Sequence, residues 1–180
     1  MSDADQANQA QQNETLEAGG LPLTIHTQYV RDISFENPNA PDSLRAGLNV
    51  PDMDVNISMD ARPLEDEDLE NLFEVGLTIS AVAKRDGIVD FVAEVIYGVV
   101  VSIGEEVPED QHHPILLIEI PRYAFPFARQ ILANVTSQGG YPPLLLNPVD
   151  FQTLYMERFK DEIAEAQAEA SKGEGAASVQ

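Results

Sequence analysis

The stretch Phe73-Glu-Val-Gly-Leu-Thr-Ile-Ser-Ala-Val-Ala-Lys-Arg-Asp-Gly-Ile-Val-Asp-Phe-Val-Ala-Glu-Val-Ile-Tyr97 decides the fold. Phe73, Val75, Leu77, Ile79, Ala81 and Ala83 fall at every second position, and Glu74, Thr78 and Ser80 oppose them. A period of two marks a β-strand with one buried face. Asp86-Gly87 then supplies the residue pair that a two-residue hairpin turn favours. The next strand runs from Ile88 to about Ile103. Val89, Phe91, Ala93, Val95 and Tyr97 form one face, and Asp90, Val92, Glu94 and Ile96 form the other, which is also partly apolar. A strand apolar on both faces is usually covered on both. In a chain of 180 residues the expected second cover is another subunit, so an oligomer is expected.

Upstream, Thr24 to Glu36 reads as a first strand. Ile33 and Phe35 point one way, and Asp32, Ser34 and Glu36 point the other. Asn37-Pro-Asn-Ala-Pro41 stops the pairing, because each proline lacks an N–H and restrains the residue before it. A loop with Pro38, Pro41 and Gly47 leads to a second strand, Asp54 to Asp60, with Val55, Ile57 and Met59 on one face. An acidic loop with Glu65, Asp66, Glu67, Asp68 and Glu70 follows.

Downstream, Pro114-Ile-Leu-Leu-Ile-Glu-Ile-Pro121 reads as a loop or short helix pressed onto apolar surface. Ala124, Phe125, Ala128, Ile131, Leu132 and Val135 then recur at helical spacing, with Pro126 expected in the first turn and Gly139-Gly140 at the end. Tyr141 to Pro148 is an extended apolar connector. Asp150 is placed to cap a last helix, whose apolar face is Phe151, Leu154, Tyr155, Phe159 and Ile163. Strands followed by helices give an α+β fold: a four-stranded antiparallel sheet with two helices packed on one side.

Residues 1–20 and 167–180 are polar and nearly free of large apolar groups, so they are expected to be disordered tails around a domain spanning 21–166. Solubilising the protein is the simplest role for both, and binding a partner is the alternative for the second. The net charge of −21 repels nucleic acid and anionic lipid and attracts basic partners. The absence of cysteine excludes disulfides and thiolate metal sites, and only His26, His112 and His113 offer imidazole. No signal-like N-terminus and no apolar run approaching ~20 residues is present, so a cytoplasmic location without membrane insertion is expected. Gly139-Gly140 precedes Tyr-Pro-Pro rather than the Gly-Lys-Ser/Thr of a phosphate loop, and no cofactor is expected. His112 and His113 beside Glu109 and Asp110 can be drawn as an acid–base pair, but the spacing is unspecific and no enzyme motif accompanies it.

Three stretches, in order, resemble the SecB family of tetrameric export chaperones over roughly residues 23–160. They are Tyr29 to Pro41; Phe91-Val-Ala-Glu-Val95 with Tyr97-Gly98 and Ser102-Ile103; and Phe125-Pro-Phe-Ala-Arg129 through Gly139, then Tyr141 to Phe151 and Leu154-Tyr-Met156. The resemblance implies an ATP-independent holdase that keeps secretory precursors unfolded in the cytosol, works as a dimer of dimers, and delivers its clients to the SecA motor ATPase. It implies that Asp32, Glu36, Val92 and Glu94 meet the basic, zinc-carrying end of that motor, the zinc being the partner's. A solvated acidic sheet face is the alternative for these residues. It further implies that Val55, Ile57, Leu144, Leu146, Phe151, Leu154 and Tyr155 line a groove for unfolded chain. The same residues also fit an ordinary core or subunit interface, which periodicity cannot separate from a groove. A SecB-like chaperone for an antitoxin would share the fold, but it need not keep Asp32, Glu36 and Glu94. The C-terminal tail shows no strong match to the family's motor-assisting tails.

Overall fold

The computed structural model describes residues 22–67 and 69–160. The tails expected at 1–20 and 167–180, and Ile163, lie outside the described residues. Strands β1 (Leu23–Glu36), β2 (Asp52–Pro63), β3 (Leu72–Arg85) and β4 (Ile88–Ile103) form one antiparallel sheet in the order β1-β4-β3-β2. The β3–β4 hairpin is its centre, and its turn residues Asp86 and Gly87 have φ of 51° and 81°, the pattern Asp-Gly favours. Val75 pairs with Val99, Leu77 with Tyr97, Ile79 with Val95 and Ala81 with Ala93, and all eight are buried. The period of two in the sequence is thus one continuous wall of the core.

β1 carries two irregularities against β4, between Ile25 and Thr27 and between Val30 and Asp32. At the second, an extra residue shifts the alternation. Tyr29 opposes Gly98 and Asp32 opposes Ile96, so both lie on the sheet face away from the core although they are three positions apart.

The helical half holds the two expected helices, one long and joined and one short, and differs from the sequence reading only within the long one. Helix α1 (Glu109–Pro114), a π-helical turn (Ile115–Glu119) and helix α2 (Ile120–Gln138) follow without interruption. The apolar Pro114–Pro121 stretch is therefore helix, one of its two expected readings, and Pro126 stands inside α2 instead of in its first turn. An interior proline costs ~3 kcal/mol or more. Leu116, Leu117, Ile120, Ala124, Phe125, Ala128 and Leu132 are buried along this length, and each large one contributes about 1.5–3 kcal/mol. Burial therefore outweighs the lost donors. Gly140, with φ of 90°, follows the helix end. The connector runs back beside α2: Leu144 N–H donates to Thr136 Oγ1 at 3.0 Å, and Arg129 Nε donates to the Leu146 carbonyl at 2.6 Å. Helix α3 (Phe151–Arg158) starts at Asp150, whose Oδ1 accepts from Gln152 and Thr153 N–H at 3.1 Å each. The helices pack on the Val95 face of the sheet.

Candidate binding surfaces

The opposite sheet face carries acidic groups among apolar ones such as Val92 and Ile96. Glu36 pairs with Val92, Ser34 with Glu94 and Asp32 with Ile96, so the fold places Asp32, Glu36, Val92 and Glu94 together on two neighbouring strands. Asp32 and Glu36 are exposed, and Val92 and Glu94 are half-buried. Among the described residues none of these three carboxylates pairs with a cation.

Glu74 shares this face and was not singled out in the sequence. Its side chain is 2% exposed. Tyr29 OH donates to Oε1 at 2.5 Å, Arg31 Nη1 reaches Oε1 at 3.4 Å, and Arg62 Nε donates to Oε2 at 2.5 Å. The Tyr29 ring lies on Gly98, where any Cβ would collide with it. The tyrosine hydrogen bond, and then the arginines, hold the Glu74 carboxyl below its ordinary range, against some desolvation. The same bond raises Tyr29 above its ordinary range. The signal available in sequence was an acidic residue two positions before Gly76 on a half-buried strand, but its partners come from β1 and β2 and need the register.

The residues expected to line a groove separate into two sets. Val55 is exposed at the β2 edge, while Ile57, Leu144, Leu146 and Leu154 are half-buried. Phe151 and Tyr155 are buried, Phe151 against Phe125 and Tyr155 against His113, and Phe151 also borders one of the clefts. Two open clefts flank the connector. One, of about 360 Å³, is walled by Leu48, Val50, Met53, Phe91, Tyr141 and Leu144. The other, of about 310 Å³, lies between Arg122, Phe125, Arg129, Val149 and Phe151. Leu48, Val50, Met53, Phe91 and Tyr141 were not expected there. Met53 shares the parity of Val55, which was the one available hint.

Of the adjacent histidines, His112 is buried and His113 is exposed, and each has a hydrogen-bonding partner. His112 Nε2 lies 3.1 Å from the Val107 carbonyl, and His113 Nδ1 lies 2.8 Å from Tyr155 OH, with its ring against Phe159. No cluster able to hold a metal occurs among the described residues, and no helix there is long and apolar enough to cross a membrane. On β4 only Ile88, at the hairpin end, is a large exposed apolar residue; Tyr123 and Phe127 on α2 and Val30 and Ile33 on β1 are exposed as well.

A single α+β domain with open apolar clefts on one side and an acidic sheet on the other is a class suited to extended ligands. Residues 16–162 match the family described as preprotein translocase subunit SecB. A protein-export protein SecB of Caulobacter vibrioides is 46% identical over 145 residues, covering 81% of this chain and 86% of that one. One from Mesorhizobium japonicum is 40% identical over 172 residues, covering 95% and 100%. Among solved structures, a SecB-like chaperone of Mycobacterium tuberculosis, in complex with a ChAD peptide from the HigA1 antitoxin, matches with a TM-score of 0.54. It is 13% identical, covers 71% of this chain and 91% of its own, and speaks to the fold alone. The chain belongs to the SecB family.

Proposed function

We propose that this protein is an ATP-independent holdase that keeps secretory precursors unfolded in the cytoplasm and passes them to the SecA motor. The observation that carries the reading is the pair of open apolar clefts along the connector, set in a chain of the export-chaperone family. Shallow apolar walls accept many sequences, whereas an enclosed polar pocket selects one. Several such walls on one oligomer let a long chain wrap, so avidity replaces tight local contact. Binding the unfolded form opposes folding by mass action and needs no nucleotide. A net charge of −21 keeps a sticky surface soluble.

The assembly is a homotetramer, a dimer of dimers. Support comes from the uncovered Tyr123, Phe127, Val30 and Ile33, which need a partner surface. Delivery uses the acidic sheet face, where unpaired Asp32, Glu36 and Glu94 suit a basic segment. These same carboxylates favour export over an antitoxin client.

Equilibrium binding tests the reading, with a labelled secretory precursor held unfolded and its folded mature form as the two ligands. Selective binding of the unfolded form without nucleotide is expected, on a species whose native mass is four chains. Equal affinity for both forms would remove the holdase, and a native mass of one chain would remove the tetramer.

A further inference from the structure

We propose that Arg85 is a positioning residue for the larger cleft: it holds the loop between β1 and β2 as a fixed wall and so decides which client side chains enter. This rests on the holdase reading. The loop, residues 37–51, is poorly held by burial. Of its residues only Ser43 is buried, while its apolar side chains Leu44, Leu48 and Val50 are 41%, 45% and 90% exposed. Leu48 and Val50 nonetheless form one side of the cleft, facing Phe91, Tyr141 and Leu144. Something else must fix them.

That anchor is polar: Asn39 Nδ2 donates to the Val89 carbonyl at 2.8 Å and Asn37 Nδ2 to the Gly139 carbonyl at 3.3 Å near the loop's start, while the stretch that carries Leu48 and Val50 is held by one guanidinium. Arg85 Nε donates to the Asn49 carbonyl at 2.7 Å, Nη1 to the Ser43 carbonyl at 3.4 Å, and Nη2 lies 2.7 Å from Asp90 Oδ2. The Arg85 and Asp90 side chains are 14% and 4% exposed. Among the described residues Asp90 Oδ2 has no hydrogen-bond partner, so the charge of Arg85 is what compensates it. The opposite wall is tied to the same place. Tyr141 OH lies 2.9 Å from Asn37 Oδ1, 2.9 Å from Ser43 Oγ and 3.0 Å from the Asp90 carbonyl. Tyr141, Asn37 and Asn39 thus tie the first half of the loop to the connector and to β4, and Arg85 at the end of β3 ties Asn49, between Leu48 and Val50, to the same place. Only a planar fork with several donors reaches two carbonyls and a carboxylate at once.

Lysine separates the pin from the ion pair, because Arg85→Lys keeps a charge against Asp90 but loses the fork. The chain has no tryptophan, so Leu48→Trp adds a single reporter to the loop wall. In the full-length protein, its anisotropy reads loop mobility without any client. Two fluorescein-labelled unstructured peptides, identical except for one Phe→Ala change, read the cleft. With arginine present, preference for the Phe peptide is expected to be roughly tenfold, the worth of a buried aromatic side chain. Arg85→Lys is expected to keep the thermal midpoint within a few degrees, lower the Trp anisotropy, and bring that preference close to one. Affinity for the Ala peptide should fall much less than affinity for the Phe peptide, since Arg85 also lines the cleft. Unchanged anisotropy, or a freed loop with full Phe preference, overturns the proposal. Failure of the parent protein to bind either peptide overturns it through the holdase reading, and the anisotropy then tells the two failures apart.

Discussion

On the outer face of the sheet, Glu74 keeps a negative charge that Tyr29, Arg31 and Arg62 screen from solvent. Its cover is these side chains and not the core, which is why its partners, more than burial, set its ionisation. The carboxyl is held below its ordinary 4.5, so it contributes stability above that pH and loses it as pH falls through the lower, folded value. Tyr29 is raised above its ordinary 10.0 by the same bond, so its contribution is complete below that pH and is lost as pH rises through the folded value. Glu74→Gln should cost about 1 kcal/mol near neutral pH, because both arginines are partly exposed and water screens them. The variant should also lose less stability than the parent between about pH 5 and pH 3. Urea midpoints across that range decide it, and parallel acid limbs would show that Glu74 contributes no linkage. Residue by residue, legibility followed locality. The shared face of Asp32 and Glu36 was visible because alternation within one strand sets it. The cluster around Glu74 was not, because it joins three strands through a bulge and the two glycines Gly76 and Gly98 paired across β3 and β4.

Gly139 shows how one element fits another. It follows α2 with ordinary negative φ, so its backbone does not require glycine. Packing does: a Cβ there would overlap the ring of Phe35, which stacks on Phe91 at 5.7 Å and neighbours Tyr141 at 6.4 Å. Gly139→Ala gains at most ~1 kcal/mol of helix propensity, less at a helix end. Overpacking a tight aromatic contact costs about 1–3 kcal/mol. A net loss of about 1–2 kcal/mol is expected in chemical denaturation, and a gain instead would mean that Phe35 swings away freely. Alternation made all four strands legible, and residue type at fixed positions made the Asp86-Gly87 turn and the Asp150 cap legible, since each depends on neighbours in sequence. The unbroken helical run through Pro114, Pro121 and Pro126 was not legible. Proline rules describe the local donor lost, and the compensating burial of Leu116, Ile120 and Leu132 comes from the sheet beneath.

The whole molecule carries a charge of −21, and that field alone draws any basic partner. A proposed docking site has to be distinguished from this background. Asp32→Lys and Glu94→Lys each change the charge by two, to −19, and so does Glu157→Lys on the exposed side of α3. If the SecA segment docks on the outer sheet, the first two should weaken it by roughly tenfold or more at low salt, as for truncated charge pairs at an interface. Glu157→Lys should then weaken it only slightly. At about 0.15 M salt the Debye length is ~8 Å, so the distant charge should stop mattering while the local ones persist. Native mass and unfolded-client affinity should stay at parent values in all three. Titration of the isolated basic segment at two salt concentrations measures this. Equal losses for all three variants, vanishing together with salt, would mean that the partner senses the net charge and that Asp32 and Glu94 form no site.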